Sequence, residues 1–295
     1  MLRWRLLLGT ILVVAILLLG WLDQDAIVPG VFLFPVAIIA TALAAGEILR
    51  ILRLGGLRPI EPIVYFGSVL IVAAAWVPSL CKYFEMKPPE TVSSATICWP
   101  LLAFGLTIVA AFLAEIRRYR GPGGITINLA GTAFGTAYVG LLFSFVVLLR
   151  LDWTIGALAS LIAVVKMGDI GAYTVGRLIG RHKMAPILSP GKTIEGACGA
   201  IAFAVLGSWL VAGLLFPYWL DMRVTGWIPY GILVGLAGLF GDLSESLLKR
   251  DVGTKDSSEW LPGFGGVLDI LDSILFAAPV AYACWAFGWI QITPL

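Results

Sequence analysis

Long apolar runs broken by short polar stretches set the rhythm of this chain. A helix needs about 20 apolar residues to cross a bilayer. Nine runs approach that length: 6–22, 27–49, 62–80, 95–114, 125–149, 153–176, 195–216, 226–248 and 267–290. The pattern predicts an all-α polytopic membrane protein of about nine transmembrane helices. The sixth, eighth and ninth runs carry charges near one end, so their limits are the least sharp. The first run follows Arg3 and Arg5 and has the outline of a signal peptide. The stretch after it, WLDQDAIVPG, offers no small-residue cleavage site, so a retained first span is expected.

The positive residues between the runs give an orientation. Arg3 and Arg5 precede the first span. Arg50, Arg53 and Arg58 follow the second, and Arg117, Arg118 and Arg120 the fourth. Arg177, Arg181, Lys183 and Lys192 follow the sixth, and Lys249, Arg250 and Lys255 the eighth. With nine spans all of these fall on one side, leaving Lys82, Lys87, Arg150 and Arg223 on the other. The expectation is a cytoplasmic N-terminus, an outward C-terminus, and cytoplasmic loops at 177–194 and 249–266. Glu47 and Glu115 lie at cytoplasmic span ends beside arginines and read as interfacial ion pairs. Residues 1–150 therefore read as a scaffold of about five spans. Residues 151–295 read as the half that carries chemistry.

Composition sharpens this. Hydrophobic residues make up 60% of the chain and charged residues 13%, with a mean hydropathy of +0.97. An ordinary soluble domain has shares closer to about half and a quarter. A net charge of +2 gives no basic field for nucleic acid, so no nucleic-acid partner is expected. His182 is the one histidine, which leaves little for a histidine-rich zinc centre or a Ser-His-Asp triad. The four cysteines show no metal spacing. Cys81 and Cys98 flank one loop and could pair only in an oxidising compartment; two separate thiols are the simpler reading.

Charge inside the apolar runs is the informative exception, because an ionisable group there costs on the order of 3 kcal/mol or more. Asp242, Glu245, Ser246 and Lys249 follow helical spacing on one face, and Asp269, Asp272 and Ser273 repeat the pattern on the next span. Mg²⁺ is usually held by one or two carboxylates plus substrate phosphates. Asp242, Asp269 and Asp272 can supply such ligands. Protonation, as in a proton-coupled carrier, or pairing with Lys249, Arg250 and Lys255 would also relieve their repulsion. The loop between them, with its cations, hydroxyls and Pro262-Gly263-Phe264-Gly265-Gly266 turn, favours a phosphate cradle. Upstream, Asp169 lies within the sixth span, one turn after Lys166 and one turn before Tyr173. An ion pair with Lys166 is its structural alternative. The following loop, Arg177 to Glu195, is rich in cations and glycine. GKT at 191–193 is not a P-loop, since Pro186 stands where that motif needs glycine.

These two blocks resemble the phosphatidate cytidylyltransferase (CDP-diglyceride synthase) family. The downstream block is Ser246-Leu247-Leu248-Lys249-Arg250, Lys255-Asp256, Pro262-Gly263, Gly265-Gly266, Asp269 and Asp272. The upstream block is Asp169, Ala172-Tyr173, Gly176-Arg177, Gly180-Arg181, Lys183, Pro186, Ser189-Pro190, Lys192-Thr193 and Glu195-Gly196. Together they cover about residues 166 to 280. Phe264 stands where the family pattern commonly has His, and Ile270 where it commonly has Arg; no role of that His or Arg is carried over.

The resemblance implies transfer of a cytidylyl group from CTP to phosphatidic acid, giving CDP-diacylglycerol and pyrophosphate. The implied metal is Mg²⁺ on Asp242, Asp269 and Asp272, with a monovalent cation such as K⁺ as a further expectation. Lys249, Arg250 and Lys255 would hold phosphates and the leaving pyrophosphate. Asp169, Tyr173, Arg177, Lys183, Ser189, Lys192, Thr193, Glu195, Ser246, Gly265 and Gly266 would line the substrate site. Asp256, Ser257 and Ser258 would shape the loop. Trp260 reads as an interfacial tryptophan or a cytosine stack. The partners expected are CTP, phosphatidic acid and the bilayer of the inner, cytoplasmic membrane, with a second copy of the chain as a further candidate. Two alternatives stay open: a related CTP-dependent enzyme acting on another lipid such as an isoprenoid, and a proton-coupled carrier.

Overall fold

The computed structural model describes residues 2–85, 96–217, 222–258 and 265–294; Trp260 and Phe264 lie outside the described residues. Most of the chain is helical, as the apolar runs require. Among the described residues, seven helices are long and apolar enough to cross a membrane, or eight when one bent pair counts as a single span, against the nine expected. The first helix, α1 (Leu2–Gln24), has 23 residues, but only its Val14–Gln24 part counts as an apolar helix among the described residues, shorter than the first expected span. Contacts divide the chain into two compact units, Met1–Asp152 with Asp251–Asp269, and Trp153–Arg250 with Ile270–Leu295.

The first unit contains α1, α2 (Phe34–Leu54), α3 (Glu61–Ala74), α4 (Val77–Tyr83), α5 (Cys98–Arg118) and α6 (Ile125–Asp152). α3 and α4 meet at 48° and share the third expected span. Pro78 lies in the first turn of α4, where its missing N–H breaks the continuous ladder and permits the bend. α6 carries a π-helical turn at Ala137–Leu141. There Gly140 packs directly on α3: a Cβ on it would lie 2.7 Å from the Ser68 Cα. Small residues let membrane helices approach this closely.

One buried ion pair closes the same unit. Asp23 is fully buried and accepts from Arg150 Nε at 2.6 Å, Gly30 N at 2.9 Å and Phe32 N at 3.1 Å. Arg150 also donates to the Asp23 carbonyl. The end of α1, the 24–33 turn and the end of α6 are tied at one point. Cys81 and Cys98 are free thiols, as the simpler reading expected.

The second unit contains α7 (Ile155–Ile179), α8 (Ile194–Leu215), α9 (Trp227–Asp251) and most of α10 (Val267–Ala286). α7 and α8 cross on glycines, where a Cβ on Gly199 would lie 2.8 Å from the Gly171 carbonyl. Between them the basic loop forms an antiparallel hairpin, β1 (Lys183–Ala185) with β2 (Ser189–Thr193), pairing Lys183 with Thr193 and Ala185 with Ser189. A second antiparallel pair joins β3 (Met222–Thr225), before α9, to β4 (Gln291–Pro294), after α10. Both are two-stranded and leave the all-α membrane architecture unchanged.

Candidate active site

The second unit gathers charge inside its helices. Gly241 on α9 packs on the α10 backbone, so that a Cβ there would lie 2.7 Å from the Asp272 carbonyl and 3.0 Å from the Ser273 Cα. This close approach brings Asp242 beside Asp272, near enough for their like charges to act on each other. Asp272 is buried, and its Oδ1 accepts from Ser273 N at 2.5 Å and Ser273 Oγ at 3.0 Å. Asp242 is about half exposed and pairs with Lys192 Nζ at 2.8 Å. Asp169 pairs with Lys166 at 3.0 Å, the i,i+3 contact that the sequence offered as its structural alternative. Lys166 also donates to the Ile270 carbonyl at 3.2 Å. Asp169 lies within electrostatic reach of Asp242 and Lys192 as well. Three carboxylates and two lysines from α7, β2, α9 and α10 therefore share one neighbourhood.

Around this cluster the hairpin is held by its own contacts. Thr193 is the N-cap of α8, its hydroxyl accepting from Gly196 N at 3.1 Å. Glu195 accepts from the backbone N–H groups of Arg181 and His182 and meets the His182 ring nitrogen at 2.6 Å. Arg250 donates to the Leu188 carbonyl at 3.3 Å, which fastens the end of α9 to the hairpin turn. Lys249 pairs with the buried Glu245 one turn earlier at 2.8 Å. Arg177 donates to the Tyr173 hydroxyl at 2.6 Å on the exposed end of α7. Lys183 and Ser189 occupy the two strands, and Ser246 lies half-buried on α9.

The first unit contains the rest of the expected loop. Asp269 Oδ2 accepts from Ser257 N at 3.1 Å, Ser257 Oγ at 2.9 Å and Gly266 N at 2.7 Å. Gly265 has φ +83°, a left-handed conformation that suits glycine, and Gly266 leaves no space for a side chain against Ser257 and Glu47. Lys255 and Asp256 are exposed.

Glu47 differs from expectation. Glu115 does pair with Arg118, but Glu47 makes no ion pair among the described contacts. Instead its buried carboxylate accepts from Ser257 Oγ at 2.8 Å, Ser258 Oγ at 2.8 Å, Val267 N at 3.0 Å and Leu268 N at 2.7 Å. Its partners lie more than 200 residues away in sequence, so only the fold reveals them.

Among the described residues no three acidic, cysteine or histidine groups converge as a ready-made metal cage. The donor set still fits a hard cation. Asp242 and Asp272 offer carboxylate oxygens on two packed helices, the donor type that suits Mg²⁺, which takes one or two carboxylates where substrate phosphates complete its shell.

Residues 3–287 match the profile described as "Cytidylyltransferase family". Similar curated proteins include a "Phosphatidate cytidylyltransferase" of Synechocystis sp., 46% identical over 39% of this chain and 38% of that protein. A "Phosphatidate cytidylyltransferase" of Staphylococcus aureus is 39% identical over 52% of this chain and 58% of its own length. Another, "Uncharacterized protein YnbB" of Escherichia coli K12, is 40% identical over 41% and 40%. The chain thus spans well under two thirds of the length of each of these relatives.

Proposed function

Because the chain belongs to the cytidylyltransferase family, we propose that it transfers the cytidylyl group of CTP to phosphatidic acid, forming CDP-diacylglycerol and pyrophosphate. The observation that carries this reading is the charge cluster of Lys166, Asp169, Asp242 and Asp272 within apolar helices, with Lys192 of β2 closing on it. Such groups are costly in a membrane and mark function.

The chemistry suits the residues. The nucleophile is an oxygen of the lipid phosphate, which is already anionic near neutral pH because a phosphate monoester has a second pKa of about 6. That oxygen forms a bond to the α-phosphorus of CTP, and the bond to the α–β bridging oxygen breaks with its electrons leaving on pyrophosphate. No general base is required, consistent with a chain that has one histidine. The barrier is the approach of one anion to another, so catalysis rests on positioning and charge neutralisation.

Lys192 and Lys166 are held in place by Asp242 and Asp169 and would turn to substrate phosphates. Arg177, Lys183, Lys249, Arg250 and Lys255 would supply further cations along the basic segments. Asp242 and Asp272 would hold Mg²⁺, which when bound neutralises phosphate charge and fixes the triphosphate. Asp269, three residues before Asp272 on α10 and expected from the sequence to be a third Mg²⁺ ligand, has its Oδ2 occupied by donors from Gly266 N and Ser257, so it would instead fix the Gly265-Gly266 turn. The positive-inside pattern supports a site facing the cytoplasm, where CTP is found, in the cytoplasmic membrane.

Family membership speaks against the carrier alternative. The acceptor is tested by mass spectrometry of the lipid product after incubating detergent-purified protein with CTP, Mg²⁺ and an equimolar mixture of phosphatidate and an isoprenoid phosphate. CDP-diacylglycerol as the dominant product supports the reading. A cytidylylated isoprenoid in its place would overturn the choice of acceptor.

A further inference from the structure

We propose that Glu47 is a positioning residue for the segment that precedes α10, resting on the reaction assigned above. The argument begins with the ends of helices. The first N–H groups of a helix have no partner within it and carry partial positive charge. At α10 the N–H groups of Val267 and Leu268 both point at one carboxylate, that of Glu47 on α2. This is a cap supplied by a residue 220 positions earlier in the chain. A carboxylate is the strongest neutral-pH acceptor available for it, because bonds to a charged acceptor are roughly twice as strong as neutral ones.

The same carboxylate accepts from the hydroxyls of Ser257 and Ser258. Ser257 Oγ lies 2.8 Å from Glu47 Oε2 and 2.9 Å from Asp269 Oδ2, so its one proton is shared between the two acids. Gly266 packs against both Glu47 and Ser257 with no room for a Cβ. Arg50, one turn after Glu47, reaches the Ser257 carbonyl at 3.4 Å. Among the described residues, these contacts converge on Ser257-Ser258 and on Gly266 to Leu268. A buried carboxylate is expensive unless satisfied, and the described donors to Glu47 are Ser257, Ser258, Val267 and Leu268. It therefore acts as a template, holding the start of the helix that carries Asp269 and Asp272. Glu47 acts through other residues and needs no contact with substrate.

The test uses full-length protein in detergent with Glu47→Gln, Glu47→Asp and Ser257→Ala. Gln keeps the shape but replaces one acceptor oxygen with an amide NH₂ that cannot accept from an N–H. Steady-state kinetics with CTP, phosphatidate and Mg²⁺ are paired with amide hydrogen exchange. Glu47→Gln should lower kcat by about 10- to 100-fold while moving KM for phosphatidate less than about threefold. Exchange should quicken in peptides covering 257–269 and stay unchanged around Asp23 and Arg150. Glu47→Asp, whose shorter side chain keeps the charge, should fall between Gln and wild type. Ser257→Ala should reproduce part of the kcat loss.

Unchanged exchange at 257–269 in Glu47→Gln would overturn the template whatever the activity. Faster exchange there with wild-type kcat would overturn its bearing on the reaction. Faster exchange throughout the protein, with kcat falling only with the folded fraction, would reduce Glu47 to a general stabiliser and also overturn it. An inactive wild type would count against the assigned reaction, and the exchange comparison would then decide the template by itself.

Discussion

Lys192 Nζ lies 2.8 Å from Asp242 Oδ2, so a lysine on a hairpin strand closes on a carboxylate of a membrane helix. The pair keeps a cation and an acid compensated until an anionic substrate competes for the lysine. In the proposed reaction each partner then has its own task, the lysine on phosphate and the aspartate on metal.

Lys192→Ala should therefore lower kcat/KM by about 100-fold, equivalent to roughly 2.7 kcal/mol of transition-state stabilisation. The exchanged double variant Lys192→Asp with Asp242→Lys restores a pair but not the tasks, and should stay as inactive as the worse single variant. Steady-state kinetics on wild type, Lys192→Ala, the two single exchange variants and the double variant checks this. Recovery in the double variant would mean that the contact is only structural.

Gly241 sets the approach of α9 to α10. Gly241→Ala places a methyl 2.7 Å from the Asp272 carbonyl, where backbone rather than a flexible side chain must yield. A loss of about 1–3 kcal/mol in stability is expected, together with a fall in activity because the spacing of Asp242 and Asp272 changes. Thermal melting and kinetics measured together test the link. A destabilised variant with full activity per folded molecule would show that the two carboxylates need not be close.

Asp23 and Arg150 give the contrasting case. Their pair is buried and multiply bonded, so removing one partner strands the other charge. Asp23→Ala should cost about 3–5 kcal/mol, while kcat per folded molecule should hold within about twofold of wild type. Melting curves and active-fraction measurements separate the two quantities.

These cases show what the sequence could and could not reveal. The spans follow from hydropathy because a membrane helix must satisfy its own backbone and present an apolar surface, both local properties. Lys166 and Asp169, and Glu245 and Lys249, were legible for the same reason, since three- and four-residue spacings place side chains on one helix face. The convergence of Asp242 with Asp272 depends on Gly241, whose role is set by a neighbouring helix. The β1–β2 hairpin was hidden in the basic 177–194 segment, which reads as a loop although Ser189–Thr193 form a strand. Glu47 was misread because arginines stand next to it in sequence while its four donors come from 257–268.

The most direct measurement is pyrophosphate release by detergent-purified protein given CTP and Mg²⁺, with and without phosphatidate, for wild type and Asp272→Asn. The account predicts release that depends on phosphatidate and falls by about 1,000-fold or more in the variant, the scale of a lost electrostatic stabiliser. Phosphatidate-independent release, or a folded Asp272→Asn as active as wild type, would contradict it.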